Sequence, residues 1–301
     1  MTILPTLALL LGVMLGLAFT HPFPRFAKTL SQALLQISIV ALGFDMNLDR
    51  VISAGRSGFV YTLVGIAFAL GLGTALGRLL GVSRTIAYLV SVGTAICGGS
   101  AIVAVGPVVG ASDEEMSVSI GTVFLLNAVG LVIFPPIGHL FHVTEPDFGL
   151  WAALAIHDTS SVVGAGARFG AVALTVATTV KLARALWIVP LTLGTAAWRS
   201  LAHRAIEPRS RIKWPWFILF FVAAAAMRTY VPALSSVYPS LSKGGRIGLA
   251  VTLFLIGTGM SRESLAKVGL RPLLQGVLLW IIVAVCTLAA ILTLHPGRAT
   301  E

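Results

Sequence analysis

The most polar stretch within the apolar regions of this chain runs from His157 through Asp158, Thr159 and Ser160 to Ser161. Ionisable residues at membrane depth are costly and usually functional. Histidine titrates near neutral pH, and a neighbouring aspartate changes the pH at which it does so. We therefore expect His157 and Asp158 to carry a coupling proton, or Asp158 to bind sodium instead. The alternative is an interfacial turn in which Asp158 caps the next helix.

A similar stretch lies sixty positions earlier in the chain. Residues 95–106 and 155–166 are identical at five of twelve aligned positions. In the first copy, two adjacent glycines weaken a helix and free backbone amides, which attract an anion at a half-helix N-terminus. The alternative is close helix packing through small residues. We expect residues of both copies to bind the anion, namely Cys97, Gly98, Gly99, Ser100, Thr159 and Ser160.

Two cations, Lys181 and Arg184, lie three residues apart in a long apolar run. That spacing places them on one helix face. There a guanidinium fork and an ammonium could bind and neutralise an anion. The alternatives are snorkelling to an interface or pairing with Asp158. Asn127, in the middle of another span, is a further candidate for the substrate site: it either hydrogen-bonds an unwound segment or bridges two helices.

Composition indicates the class of protein. Hydrophobic residues make up 57% of the 301 residues and charged residues 11%, against roughly 25% charged residues in soluble domains. Several apolar runs approach the roughly 20 residues that cross a bilayer. We therefore predict an all-α polytopic membrane protein with a single transporter domain over 1–301. Basic residues at helix ends account for the net charge of +10, which is a topology signal and predicts no nucleic-acid partner.

The sequence contains no common catalytic motif: G-x-S-x-G, H-E-x-x-H and the P-loop pattern are absent. His157, Asp158 and Ser160 are too close in sequence to form a catalytic triad, because one helical turn cannot aim all three at one atom. The two cysteines, Cys97 and Cys286, lie in apolar segments and predict neither a disulfide framework nor a metal cluster. We expect no enzymatic activity and no cofactor.

Eight apolar runs predict full membrane spans: 4–20, 29–45, 58–80, 116–141, 171–198, 214–233, 245–260 and 272–294. Two further elements, 86–110 and 150–168, are interrupted by small or polar residues. Paired interruptions of this kind indicate a transporter's binding site. Each element either crosses the membrane or turns back. If both turn back, they enter from opposite faces, because one span separates them. We favour this arrangement, since two facing half-helix ends would build a site.

A second internal match relates residues 43–46 to residues 257–260. With its flanking helices, this match predicts two three-helix copies, 1–80 and 214–294, in opposite orientations. Inverted repeats are typical of secondary transporters. The loop 199–213 carries five Lys or Arg residues, which predicts a cytoplasmic location for that loop.

Six stretches spread over roughly residues 30–295 match one known family: Leu42-Gly43-Phe44, Gly93-Thr94-Ala95-Ile96-Cys97-Gly98-Gly99-Ser100-Ala101, Phe134-Pro135, Phe148-Gly149-Leu150-Trp151, Ala155-Ile156-His157-Asp158-Thr159-Ser160 and Val180-Lys181-Leu182-Ala183-Arg184. They resemble the YeiH-type family of bacterial inner-membrane proteins, which is named for sulfate export. The resemblance implies a multi-pass protein with inverted repeats and two broken helices that cross, as in the cation/proton-antiporter and anion-transporter superfamily. It also implies a homodimer.

Together these features predict a secondary-active transporter of a small anion, embedded in the lipid bilayer and coupled to a proton or sodium, most simply as an exporter. Sulfate, sulfite, an organosulfonate and a small carboxylate all suit the predicted residues. The alternative is an anion channel or a membrane sensor without active transport.

Overall fold

All regular secondary structure that the computed structural model describes is helical. It describes residues 24–201, 216–258 and 269–294, together with a few positions of the first predicted span. The predicted all-α polytopic membrane fold is confirmed. In chain order the helices are α1 (Pro24–Gly43), α2 (Leu48–Leu79), α3 (Arg84–Ala95), α4 (Gly99–Val109), α5 (Asp113–Leu140), α6 (Glu145–Ala155), α7 (Thr159–Phe169), α8 (Ala171–Ala185), α9 (Ile188–Leu201), α10 (Trp216–Tyr230), α11 (Tyr238–Thr258) and α12 (Leu270–Leu294), with a short 3-10 helix at Pro232–Leu234.

Four helical stretches are long and apolar enough to cross a membrane: Val51–Leu79, Glu114–Leu140, Ala171–Trp198 and Leu270–Thr293. Shorter apolar helices occur at Thr29–Gly43, Gly99–Val109 and Trp216–Tyr230. Most predicted spans overlap one described helix, but their starts differ. The predicted span 58–80 begins at Leu48, where the Asn47 side chain accepts a hydrogen bond from the Asp49 amide at 2.8 Å. An asparagine in this position starts a helix efficiently.

The predicted span 171–198 is divided into two helices. α8 ends at Ala185 and α9 begins at Ile188. Pro190, near the start of α9, has no backbone N–H, and its ring conflicts with the carbonyl four residues earlier, at Leu186. The helix is therefore interrupted at Leu186 and Trp187, where a proline-induced kink is expected.

The first interrupted element is a helical hairpin. Ser83, at the start of α3, contacts the Glu115 carboxylate at 3.3 Å. Glu115 lies in the first turn of α5, shortly after the end of α4. The start of α3 and the end of α4 therefore lie on one face of the protein, which we name the α3 face. The element comprises 84–109, close to the predicted 86–110.

The second interrupted element is also a hairpin. The Glu145 carboxylate, in the first turn of α6, accepts hydrogen bonds from the amides of Val172 at 2.8 Å and Ala173 at 3.3 Å. Both amides belong to the first turn of α8, directly after α7. The start of α6 and the end of α7 therefore share a face, which we name the α6 face. The element comprises 145–169 and not 150–168, because Thr144 caps a further turn of helix.

The two hairpins enter from opposite faces. α5 starts beside the start of α3, and near its other end His139 stacks on Phe169 at the end of α7, with ring centroids 4.3 Å apart. The expectation of two crossing broken helices is therefore wrong for this chain, because each pair of half-helices returns to the face from which it came. Of the two shapes that the sequence left open, the structure has the turned-back one.

α12 holds both hairpins in place. The Gln275 side-chain amide donates hydrogen bonds to the carbonyls of Gly73 at 2.9 Å and Ala87 at 3.0 Å, and so ties α2 to α3. The Trp280 indole donates to the Ala155 carbonyl, at the end of α6, at 3.1 Å. Buried donors of this kind need such partners. A single helix therefore anchors the first half of each hairpin.

α1, α10 and α11 form a second group of helices. α11 packs so closely on α1 that a Cβ atom added to Gly248 would lie 2.3 Å from the Ser38 hydroxyl. At the α6 face a crevice separates this group from α8. Asp45 and Arg246, which form an ion pair, lie on one side of the crevice, and residues of 171–175 lie on the other.

Several predictions concern residues outside the described ranges. These include most of the span 4–20, the greater part of the basic loop 199–213, and residues 259–268, which contain half of the second internal match. The relation between the copies 1–80 and 214–294 therefore stays a prediction.

The hairpins determine which loops share a side of the membrane. In a Cys286→Ala background, Ser83→Cys and Ser112→Cys proteins should react with a membrane-impermeant maleimide from the same side, and Thr144→Cys from the opposite side. Ser83 and Ser112 are both exposed, so their accessibility depends only on topology. Labelling of these two cysteines from opposite sides would show that 84–109 crosses the membrane.

Candidate functional site

The tips of the two hairpins meet beside the middle of α5. A Cβ atom added to Gly98, in the first tip, would lie 3.5 Å from the Asp158 Cβ atom and 3.2 Å from the Val123 side chain on α5. Gly98 has φ 68° and ψ −129°, a backbone conformation that is essentially restricted to glycine. Glycine at this position therefore permits both the sharp turn and the contact between the tips.

Both tips have the same construction. α3 ends at Ala95 and α4 begins at Gly99, while α6 ends at Ala155 and α7 begins at Thr159. α4 and α7 each contain 11 residues. The sixty-residue offset between the two similar stretches of sequence therefore also separates the corresponding helix ends of the two hairpins. Each tip brings one carbonyl end and one amide end of a half-helix to the middle of the protein.

Arg184 joins the carbonyl ends of α3 and α6. Its Nε donates to the Ala95 carbonyl at 2.5 Å and its Nη2 to the Thr94 carbonyl at 3.3 Å. Its Nη1 donates to the carbonyls of Leu154 at 2.8 Å and Ala153 at 3.5 Å. The side chain is fully buried. Because the last carbonyls of a helix lack partners and carry the negative end of its dipole, one guanidinium satisfies both helices and offsets both dipoles.

Lys181 lies one turn before Arg184 and binds the carbonyl end of α6, which Arg184 also binds. Its Nζ donates to the Ile156 carbonyl at 2.8 Å and the Ala153 carbonyl at 3.4 Å, and the side chain is fully buried. Within the described ranges, neither cation lies within ion-pair distance of a carboxylate. Neither snorkelling nor pairing with Asp158 therefore accounts for these residues, and their role as direct anion ligands stays a prediction.

Asn127 supports the second tip. Its Oδ1 accepts hydrogen bonds from the amides of His157 at 2.9 Å and Asp158 at 3.2 Å. These amides belong to the break, where a side chain must replace the missing helical acceptor. Of the two roles left open for Asn127, the structure has the bonding of an unwound segment. Its Nδ2 has no hydrogen-bond partner among the residues described.

Asp158 caps α7. One carboxylate oxygen accepts from the Ser161 amide at 3.2 Å, and the other accepts from the Ser160 hydroxyl. A carboxylate here also interacts favourably with the positive end of the helix dipole. The capping role that the sequence left as an alternative is therefore present. Binding of a coupling ion by Asp158 stays a prediction.

His157 is buried in the second tip. Neither ring nitrogen has a hydrogen-bond partner in the part of the chain that the structure describes, and the ring faces the backbone of Val123. The imidazole and the Asp158 carboxylate are therefore not joined by a hydrogen bond. A buried imidazole without a partner is unusual, because burial of an unsatisfied polar group is unfavourable.

The amide ends of the half-helices are the accessible part of the tips. Gly99 and Thr159 are half-buried and Ser100 is exposed, whereas the Cys97 thiol is buried beside Ser100. Gly98 provides no side-chain cap for α4, so the first amides of α4 have no intrahelical acceptor. At the amino end of α4 the Cys97 thiol lies near the Ala101 amide and no described carboxylate caps the helix, whereas Asp158 caps α7.

The structure brings together all the residues predicted for the site. They form two sets, one at the carbonyl ends of the half-helices and one at the amide ends. The cations serve carbonyl ends, and the glycines and hydroxyls lie at amide ends. Sequence reasoning missed the acceptors of Lys181 and Arg184, because a backbone carbonyl is present in every residue and leaves no signal in the sequence. Over the described ranges, no group of three or more His, Cys, Asp or Glu residues could hold a metal ion.

Comparison with known proteins shows extensive similarity to one group of membrane proteins. A family model described as conserved hypothetical protein 698 matches residues 3–276. UPF0324 membrane protein Bd1437 of Bdellovibrio bacteriovorus is 50% identical over 285 residues, covering 95% of this chain and 88% of that protein. UPF0324 membrane proteins of Bacteroides thetaiotaomicron and Porphyromonas gingivalis are 47% and 48% identical, covering 95% and 96% of this chain and 86% and 87% of their own lengths. No solved structure matches the chain. The resemblance inferred from the motifs is confirmed.

Arg184→Met should destabilise the protein, because it leaves the carbonyls of Thr94, Ala95 and Leu154 buried without a side-chain donor. Hydrogen bonds to a charged group contribute about 1.5–3 kcal/mol each to the free energy of unfolding. The unfolding temperature in detergent should therefore fall by many degrees. Arg168→Met is the matched control, since Arg168 makes one 3.5 Å contact with a carbonyl. Equal unfolding temperatures for the two variants would contradict the bridging role of Arg184.

Gly98→Ala should also lower the unfolding temperature. A side chain in this positive-φ backbone conformation costs about 1–3 kcal/mol, and the new Cβ atom would press on Val123. Gly194→Ala on α9 is the control, because a Cβ atom there meets nothing within 4 Å and alanine favours helix by up to about 1 kcal/mol. The prediction fails if Gly98→Ala is as stable as the control.

Proposed function

We propose that this chain, which belongs to the conserved hypothetical protein 698 family, is a secondary-active transporter of a small anion. One observation supports the proposal most directly: the two buried cations bind the carbonyl ends of α3 and α6, while the N-cap residue of α4, Gly98, provides no side-chain acceptor. The negative helix ends are thus offset and a positive end is left without a side-chain cap. Helix amino ends of this kind bind anions.

The proposed binding site is the amino end of α4, together with the neighbouring tip. The free amides of Gly99 and Ser100 and the Ser100 hydroxyl would donate to the anion's oxygens, with Thr159 approaching from the second tip. Lys181 and Arg184 would act chiefly through charge, because Lys181 already makes two hydrogen bonds to carbonyls and Arg184 makes four. A small number of donors favours a small oxyanion such as sulfate, sulfite, an organosulfonate or a small carboxylate.

The contact between the tips favours a carrier over a channel. Gly98 and Asp158 touch near the middle of α5, so an anion can pass only if packing opens on one side at a time. The crevice between α8 and the group of α1, α10 and α11 provides a boundary at which such movement could occur. A channel, or a membrane sensor without transport, is the outcome against which the carrier is tested below.

A proton is the proposed coupling ion, with sodium at Asp158 as the alternative. Both Asp158 oxygens already serve the cap of α7, whereas His157 and Lys181 are buried titratable groups at the tips. Arg78, Arg84 and Arg271 lie at the α3 face, which the positive-inside rule places in the cytoplasm. The proposed setting is therefore the bacterial inner membrane, with export as the direction and a homodimer as the family-level expectation.

A thermal-shift screen tests the anion site. Purified protein should be stabilised by one of sulfate, sulfite, methanesulfonate or acetate, by about 2.7 kcal/mol at a hundred times the dissociation constant. Ser100→Ala should weaken that affinity about tenfold, because one hydrogen bond to a charged group is lost. Ser236→Ala, an exposed serine remote from the tips, should have no effect. Stabilisation by sodium chloride alone, or equal effects of the two variants, would contradict the anion site.

Counterflow in proteoliposomes separates a carrier from a channel. Unlabelled anion trapped inside should drive transient accumulation of the labelled anion from outside, because a carrier exchanges one for the other through a single alternating site. A channel dissipates the gradient and shows no accumulation. Labelled influx without counterflow would therefore exclude the carrier, and absence of any flux would favour the sensor.

A further inference from the structure

Lys181 is a buried ammonium that forms no ion pair with a carboxylate among the described residues. Its Nζ makes hydrogen bonds only to the carbonyls of Ile156 and Ala153, and the described ranges contain no acid within ion-pair distance of it. A charge in a medium of low polarity is stabilised mainly by a counter-charge. Carbonyl dipoles provide only part of that stabilisation, so the charged form of Lys181 is weakly stabilised relative to the neutral form.

Arg184 further disfavours the charged form of Lys181. It lies one turn from Lys181 on the same face, equally buried. Two like charges at that spacing oppose each other, and the opposition is stronger away from water. Arginine stays protonated at any accessible pH, whereas a buried lysine readily releases its proton. Of the two cations, Lys181 is therefore the one that can change charge.

The titratable groups facing Lys181 come from both tips. They are Arg184 on α8 itself, Cys97 from the first tip, and His157 and Asp158 from the second. On the other side of α8, α2 approaches with glycines, Gly58 lying against Val180 and Gly65 towards Arg184. An anion bound at the amide ends would thus be the main new negative charge near Lys181.

The Lys181 ammonium also contacts the hinge of the second tip. Ile156 is the first residue after α6, and the next two amides are held by Asn127. The charge on Lys181 therefore acts directly on the carbonyl where the hairpin turns. Loss of that charge weakens the hold on Ile156 without affecting the bonds from Arg184 to α3 and to Leu154.

We propose that Lys181, rather than His157, carries the coupled proton, and that its protonation and anion binding at the tips favour each other. This inference rests on the proposed anion site. In the step, the N–H bond of the ammonium breaks, the electron pair stays on Nζ, and the proton passes to water on the side where the anion is released. Because linkage is reciprocal, protonation must raise anion affinity by the same factor as the anion favours protonation.

The test measures anion affinity and proton uptake as functions of pH. Sulfate and methanesulfonate are the probes, because both stay fully ionised across the neutral range. Wild-type affinity should fall about tenfold per pH unit above the pH at which Lys181 loses its proton. Adding either anion to weakly buffered protein in that range should withdraw protons from solution, as read by an indicator dye.

Three variants locate the proton. Lys181→Arg keeps the charge permanently, so its affinity should be high and independent of pH; Lys181→Met should bind weakly, again without pH dependence. His157→Asn removes the titratable ring, whose nitrogens hydrogen-bond no side chain among the described residues and face the Val123 backbone, so it should keep the wild-type pH dependence and proton uptake. If both Lys181 variants fail to fold, the comparison of wild type with His157→Asn still decides between the two residues.

Loss of pH dependence in His157→Asn, or its retention in Lys181→Arg, would assign the proton to another group and overturn the inference, while leaving the anion site intact. The same holds if wild type binds anion without proton uptake. If wild type binds neither sulfate nor methanesulfonate at any pH, the proposed site does not bind sulfur oxyanions of this kind. The inference about Lys181 is then also wrong.

Discussion

The bond network from Arg184 to the carbonyl ends of α3 and α6 is the interaction on which the rest of the site depends. A helix that ends inside a membrane leaves carbonyls without partners, and each unsatisfied group there costs several kcal/mol. Two such ends converge here, and a single planar guanidinium reaches both. Lys181 adds donors for the Ile156 carbonyl, the first after α6. Without these side chains, the carbonyls at both half-helix ends would be buried without a side-chain donor, which would destabilise both hairpins.

The same network would allow the tips to attract the proposed anion. Each hairpin brings one negative and one positive helix end to the middle of the protein, and these would largely cancel. Because the cations offset the negative ends, the positive ends determine the local potential. Asp158 already occupies the positive end of α7, which leaves that of α4. In the proposed transporter the cations would therefore influence anion binding without needing to touch the anion.

The surrounding helices convert this arrangement into a defined geometry. α5 passes both tips and supplies Val123 and Asn127, while α12 holds the first half of each hairpin through Gln275 and Trp280. Apart from the packing contact of Val123, these contacts are hydrogen bonds from buried donors, which are directional and sensitive to small shifts. Among the described residues, the buried side-chain atoms without a hydrogen-bond partner include the His157 ring nitrogens and Asn127 Nδ2 at the tips, where a ligand or a conformational change would alter the polar contacts. The others belong to Thr62, Thr178, Thr179 and Gln275.

The sequence by itself determined the helical membrane class, the family and the positions of the two breaks. All three depend on local properties: long apolar runs, glycines or polar residues that interrupt them, and a repeated motif. The capping by Asp158 was also a local possibility. Only the tertiary structure decided that the hairpins turn back, because the deciding contacts join Ser83 to Glu115 and Glu145 to Val172, 32 and 27 residues apart. It also decided what Lys181 and Arg184 bind, since their acceptors are backbone carbonyls, which no side-chain pattern reveals.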